Sequence, residues 1–400
     1  MSGIDSAYAW RRLAASVTLS TVGGVGMWCL TVALPIVQAD LGVSRADISF
    51  AYTMNMLGFF AGGVAAGRLV DRRGIVIAGI LSAIGLAAGF ALASLTASLV
   101  LFAAVQILIG FSAAATFAPL VADVSHWFEK RRGVAVAIAA SGNYIAGAIW
   151  PPIIEPVIAD HGWRATYLSV GVFCLVSMIP LALTLRRRPP DHAETELVKV
   201  AQRSQAALGL SPNALQALLA VAGISCCVAM SMPQVHIVAY CADLGYGVAR
   251  GAEMLALMLG FGIVSRVATG WIADRVGGVM TLLLGSTLQG VALCVYLIAD
   301  GLTSLYLASI LFGLFQGGIV PSYAIIVREY FPPREAATRV GFTVSVTVLG
   351  MALGGWMGGV LFDMTGSYRA AFLNGIAWNI LNAAIAAWLL MRQSRRAATV

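Results

Sequence analysis

RGAEMLALMLGFGIVSRVATGWIADRVG, residues 250–277, decides how the rest of the chain is read. Residues 250–273 are apolar enough and long enough to cross about 30 Å of hydrocarbon as a helix. Arg266 stands seven residues from the end of that run, about 10 Å deep at 1.5 Å per residue. No other Lys or Arg is set so far inside an apolar segment. A lone guanidinium in hydrocarbon costs from about 3 to more than 10 kcal/mol, so it is retained mainly where it faces a cavity or a partner. One reading is therefore an anion hook in a polar pathway. The plainer one is a side chain that snorkels to the headgroups or pairs with Asp274, two turns on.

Outward from this stretch the pattern repeats along the whole chain. The 400 residues are 60% apolar and 11% charged, against about 25% charged in soluble domains. Twelve spans are predicted, at 13–38, 46–69, 75–95, 98–124, 133–157, 165–185, 213–240, 250–273, 277–299, 303–327, 340–362 and 369–391. This is the signature of an all-α membrane protein. With the N-terminus inside, twenty of the 25 Lys and Arg fall at cytoplasmic ends or loops, four (Arg45, Arg164, Arg250, Arg369) outside, and Arg266 within the membrane. The bias puts both termini in the cytoplasm. It also accounts for the net charge of +7 without nucleic-acid binding. The start, MSGIDSAYAWRR, places charge before an apolar run like a signal peptide, but that run is too long for one and is read as the first span. The six cysteines lie in or at the ends of spans without metal-ligand spacing and are read as packing residues. With no GxxxxGK[ST] and no HExxH, no ATP site, metal, cofactor or catalytic residue is expected.

The chain also repeats itself. Asp40-Leu41-Gly42 recurs as Asp243-Leu244-Gly245, and Gly67-x-x-x-Asp71-Arg72-x-Gly74 as Gly270-x-x-x-Asp274-Arg275-x-Gly277, each offset by 203 residues. Ile109-Gly110 and Trp127-Phe128 return at the same offset as Phe312-Gly313 and Tyr330-Phe331, and Trp163-Arg164-Ala165 returns at 205 as Tyr368-Arg369-Ala370. Six spans bring the chain back to the side it started from, so the expectation is two pseudo-symmetric six-helix bundles of like orientation, 1–188 and 213–400. The polar stretch 189–212 between them, opened by Pro189-Pro190, is read as a cytoplasmic linker.

The duplicated GxxxDRxG loop and the six-plus-six plan resemble the major facilitator superfamily. Within it, WFEKRRGVAVAIAASG (127–142) looks like the start of the fifth span in monocarboxylate transporters and oxalate/formate exchangers, and Arg266 lies where that group keeps its eighth-helix arginine. Two departures stand out: the position one turn before Arg266 is Gly262 instead of an aspartate, and the first span has no charge between Arg12 and Asp40. The resemblance implies that the first loop, with Asp71, Arg72 and the tight turn at Gly74, meets the start of the eleventh span. By the repeat, Asp274, Arg275 and Gly277 should meet the start of the fifth near Arg131, Arg132 and Gly133. A carboxylate at a helix N-terminus gains about 0.3–1 kcal/mol, enough to bias a two-state equilibrium without locking it. A topology signal alone explains the arginines but not the duplicated acid.

Polar and aromatic residues inside the spans supply the remaining site candidates. Gln234, His236 and Tyr240 lie on the seventh span, and His236 is the only histidine well within any span. It is a candidate proton carrier or a hydrogen-bonded packing residue. Asn55, Asn143, Tyr144, Gln316 and Tyr323 are candidate donors to a cavity, with helix packing as the alternative. Trp28, Phe117 and Trp356 could wall it, or face lipid or core. Asp123, Glu155, Glu253 and Asp363, near span ends where water is expected to reach them, are read as structural. One fixed cation with no carboxylate nearby is compensated by one negative charge. The expectation is a monomeric, multi-pass carrier in the cell membrane that moves a small monocarboxylate such as lactate, pyruvate or formate with a proton. A proton-antiporting exporter of amphipathic compounds and a non-transporting sensor are the alternatives.

Overall fold

Glycines set the corners, and six of them come in pairs. Gly42, Gly74 and Gly162 have φ of 63°, 86° and 78°, and Gly245, Gly277 and Gly366 have 82°, 81° and 66°. Only glycine enters this region without steric cost, and the partners lie 203, 203 and 204 residues apart. The sequence repeat is thus also a repeat of backbone turns. The computed structural model describes residues 4–129, 131–187, 210–299 and 301–397, apart from the side chains at 132, 333, 334, 336, 337 and 395–397. Most of the linker expected at 189–212 lies outside the described residues.

Between the corners the described residues form only helices: α1 (Ala7–Gly23), α2 (Val25–Leu41), α3 (Arg45–Arg73), α4 (Ile75–Ser94), α5 (Leu99–Ala114), α6 (Ala118–Ser125), α7 (Arg132–Ala140), α8 (Gly142–Thr184), α9 (Pro212–Asp243), α10 (Val248–Val276), α11 (Gly278–Ile298), α12 (Leu302–Gln316), α13 (Ile319–Tyr330), α14 (Pro333–Thr365) and α15 (Tyr368–Ala397). Among the described residues they join into eleven rods long and apolar enough to cross a membrane. One of these, Gly133–Thr184, has 52 residues, about 78 Å at 1.5 Å per residue. It turns at Gly162 (φ 78°, ψ 161°) and so makes two crossings, the expected fifth and sixth spans. The total is twelve.

Four spans are interrupted near their middles: the first at Gly24, the fourth at residues 115–117, the fifth at Ser141 and the tenth at Gly317–Gly318. Interruptions at membrane depth are tolerated where protein or a cavity covers the loosened backbone. Three of them are packed together. A Cβ on Gly23 would strike Thr116, one on Gly24 would strike Ala146, and one on Gly142 would fall 2.7 Å from Ser20.

Two compact units are present. The first comprises Met1–His192 with Val235–Gly260, and the second Ala193–Gln234 with Phe261–Val400. In the first, α3 packs along α5 and α4 along α8; in the second, α11 packs along α15, the counterpart of the α4·α8 pair. Glycines let backbones touch: Gly58 and Gly62 of α3 meet the carbonyls of Ile107 and Phe111, and Gly110 of α5 meets that of Asn55. In the second unit Gly350 and Gly354 of α14 meet Ile224 and Val228 of α9 in the same way. Such close approach is what small residues permit in a helix bundle without water.

One buried ion pair ties the first unit together at the end where the N-terminus lies. Arg12 donates from Nε and Nη2 to the two carboxylate oxygens of Asp123, 2.8 Å each. Its Nη1 donates to the carbonyls of Leu185 (3.1 Å) and Arg187 (2.9 Å), and the guanidinium carbon lies 4.7 Å from the centre of the Trp127 ring. Asp123 was expected within reach of water; it is instead enclosed, because the first, fourth and sixth spans converge on it.

Candidate functional site

The second unit builds its polar centre where the eighth span crosses the break in the tenth. At Gly317 a Cβ would run into the Gly262 carbonyl and lie 2.8 Å from the Ser265 Cβ; at Gly318 it would run into the Thr269 side chain. Two successive glycines therefore bring the backbone of the tenth span directly onto α10. Residues 262, 265 and 269 form one face of α10 at helical spacing, and Arg266 lies on the same turns, beside Ser265. The Arg266 side chain is partly exposed and its Nε is buried. The nearest acid along α10 is Asp274, eight residues on, about 12 Å along the axis.

Beside this crossing lie two enclosed amides. Gln234 of α9 and Gln316, the last residue of α12, are 2% and 0% exposed. Gln234 Nε2 donates to Gln316 Oε1 at 2.9 Å. The Gln316 Nε2 and the buried Ser265 Oγ have no hydrogen-bond partner among the described residues. A buried donor without an acceptor costs about 1–3 kcal/mol, so two of them flanking the arginine turn mark a place suited to an acceptor-rich guest. Ser265 went unnoticed in the sequence, where a serine beside an intramembrane arginine reads as helix packing.

Tyr323 does not join this group. Its hydroxyl donates to Asn382 Oδ1 at 2.8 Å, Asn382 donates to the Ser286 hydroxyl at 2.7 Å, and Asn379 donates to the Ser286 carbonyl at 2.8 Å. This network joins the ninth, tenth and twelfth spans. Trp356 is 40% exposed. Asp274 and Arg275 are exposed at the end of α10, where Arg275 donates to the Trp271 carbonyl at 3.2 Å, and Gly277 makes the left-handed turn.

The first unit holds the other candidates. Trp28, 2% exposed, donates from Nε1 to the carbonyl of Asn143 (3.1 Å) and to its Oδ1 (3.3 Å), which joins the first and fifth spans beside the breaks at Gly24 and Ser141. Tyr144 is buried next to it, and Phe117, at the break in the fourth span, is half-buried with its ring 6.4 Å from that of Phe59. Asn55 has its amide occupied by the Gly26 carbonyl (3.0 Å) and Gln106 Oε1 (2.9 Å), so it fastens the second span to the first and fourth. His236 is fully enclosed and Tyr240 half-buried. Asp71 and Arg72 are exposed in the last turn of α3, Gly74 caps it in a left-handed turn, and Arg131 is exposed at the N-cap of α7. The side chain of Arg132 lies outside the described residues.

What these groups can do follows from their chemistry. No cluster of three metal-ligating side chains occurs among the described residues. A cation and spare donors at a helix crossing suit reversible binding of an anion.

The model of the Major Facilitator Superfamily matches residues 17–289 and 254–400. Among curated relatives, monocarboxylate transporter 13 of Bos taurus is 28% identical over 328 residues, 81% of this chain and 75% of that one. Among solved structures, a bacterial homologue of the human lysosomal transporter Spinster, in an inward-facing and occupied conformation, covers 98% of both chains with a TM-score of 0.73 at 14% identity. The nucleoside transporter NupG covers 95% of this chain and 99% of its own with a TM-score of 0.75 at 13% identity.

Proposed function

This chain belongs to the Major Facilitator Superfamily, and we propose that it carries a small monocarboxylate across the cell membrane by alternating access, with a proton moving alongside. Arg266 carries the reading. It follows Ser265, which meets the Gly317–Gly318 break and, like the neighbouring Gln316, keeps an unpartnered donor. A carboxylate offers two acceptor oxygens to a guanidinium fork, an arrangement stronger than a single neutral hydrogen bond. Its remaining lone pairs would meet the serine hydroxyl and the glutamine amide. One negative charge neutralises one fixed cation, so a monoanion is preferred to a dianion and a cationic amphipath is repelled. Relatives that are monocarboxylate transporters support the same cargo class.

The other candidates take subsidiary roles. Gln234 orients Gln316; Trp28 with Asn143, Tyr144, Phe117 and Tyr240 line the route; His236 carries the proton. Asp71, Arg72 and Gly74, with Asp274, Arg275, Gly277, Arg131 and Arg132, gate the side of the termini, which the positive-inside bias puts in the cytoplasm.

The test is uptake of a panel of labelled carboxylates into proteoliposomes. Arg266→Lys keeps the charge and loses the fork, so uptake should fall at least tenfold, the equivalent of about 1.4 kcal/mol. An inward pH gradient should stimulate uptake and an uncoupler should abolish the stimulation. Unchanged uptake by Arg266→Ala would refute the carboxylate assignment and leave export of amphipathic compounds, which does not need the arginine, as the better reading.

A further inference from the structure

The sequence repeat breaks at one place where it matters. On the face opposite the termini, Asp40 at the end of α2 accepts from Arg164 Nη1 at 2.6 Å and from Trp163 Nε1 at 3.3 Å, just past the turn at Gly162. Every part of this clamp recurs in the second repeat: Asp243 for Asp40, Tyr368-Arg369 for Trp163-Arg164, and the left-handed Gly366 for Gly162. Asp243 nevertheless accepts from Arg45 Nη2, at 3.1 Å. Arg45 opens α3 and is 5% exposed. It has no counterpart, for the residue 203 positions on is Val248. Arg369 is exposed, and its guanidinium has no ion pair among the described residues.

The surroundings fit a closure. Asp243 and Arg45 both lie in the first compact unit, because the hairpin Val235–Gly260, although part of the second sequence repeat, groups there. Deeper in the same unit Leu259 of that hairpin is fully buried against Gly147 of α8, where a Cβ would collide with it and with the Trp28 ring. An apolar seat below and an ion pair above hold the hairpin down.

We propose that Arg45–Asp243 is an exchangeable latch that shuts the pathway on the face opposite the termini, and that on opening Asp243 passes to Arg369, the pairing its repeat counterpart already shows. Exchange of one partly hydrated ion pair for another leaves the two states close in free energy, as a carrier that must visit both requires. The latch rests on the alternating-access reading and is independent of the cargo.

The experiment is labelling of Leu259→Cys, with Cys294 replaced by serine, using a membrane-impermeant maleimide added from the side opposite the termini and no substrate present. Arg45→Gln should speed labelling about fivefold, and Asp243→Asn, which removes the partner of both pairings, should stay near the parent rate. The double reversal Arg45→Asp with Asp243→Arg should bring the rate back down, and Arg369→Gln should slow it below that of the parent. Each variant is first checked to be monodisperse in detergent, and Arg45→Lys, which keeps the charge, replaces the double reversal if that does not fold; it should label at the parent rate. Unchanged labelling in Arg45→Gln, or a double reversal or Arg45→Lys variant that labels as fast as Arg45→Gln, overturns the latch. An Arg369→Gln variant that labels at the parent rate overturns the exchange. Because no carboxylate is present, failure of the uptake panel leaves these rates untouched, and the reverse also holds.

Discussion

Replacing Asp123 by alanine is the sharpest test of how the first unit is held together. Asp123 meets Arg12 through two bonds of 2.8 Å, and the two side chains are 6% and 1% exposed. Removing the carboxylate leaves a buried guanidinium with only the Leu185 and Arg187 carbonyls and the Tyr8 hydroxyl as acceptors. Breaking a buried pair from one side costs about 3–5 kcal/mol, because the remaining charge stays desolvated. For a cooperative unit of 150–250 residues each kcal/mol lowers the midpoint by about 2–4 °C, so the expected drop is about 6–20 °C. The molecule supplies its own reporter: Cys29, Cys174, Cys226, Cys227 and Cys241 are buried and only Cys294 is exposed, so a thiol-reactive dye brightens as the helices part. Asp123→Asn, which keeps one acceptor oxygen, should fall between. The loss should persist in high salt, since screening reaches buried pairs weakly. A drop below about 2 °C for Asp123→Ala would mean the pair is effectively solvated and the reasoning is wrong.

Three further outcomes follow from contacts already described. Gly317→Ala drives a methyl into the Gly262 carbonyl and should cost about 1–3 kcal/mol, with uptake lost by displacement of the arginine turn, read by melting and transport side by side. Tyr323→Phe strips Asn382 of its donor and should lower stability by about 1–3 kcal/mol while leaving substrate affinity unchanged, which separates a packing tyrosine from a binding one. Trp28→Phe keeps an aromatic ring but gives up the indole N–H bond to Asn143 and some buried volume, a loss of at least about 1 kcal/mol; melting checks it.

Much of this architecture is written in the one-dimensional pattern. Apolar runs give the spans, and the paired landmarks at an offset of 203 anticipate the paired left-handed glycines. What stayed hidden depends on distance in the chain or on competition among equals. Arg12 and Asp123 are 111 residues apart, and nothing local tells either that its partner is buried beside it. Asn55, Gln316 and Tyr323 are alike as intramembrane polar residues, yet Asn55 and Tyr323 have their donors taken by neighbouring helices while Gln316 keeps a donor in hand. Residue type fixes how many bonds a side chain wants, and only the packing decides who supplies them. The interruption at Gly317–Gly318 was visible as two glycines, but a glycine pair reads equally well as a smooth helix surface.

Contact of main chain with main chain at Gly317, with only the short Ser265 and Thr269 side chains beside it, leaves little cushion between the eighth and tenth spans. Two rods joined so hard cannot easily slide past each other, because interlocked backbones offer no intermediate seat. They should swing as a single plank, and the guanidinium rides on it as a passenger. Whatever charge Arg266 holds therefore travels with the tenth span, and any force that tilts this plank is felt at once by the ion upon it.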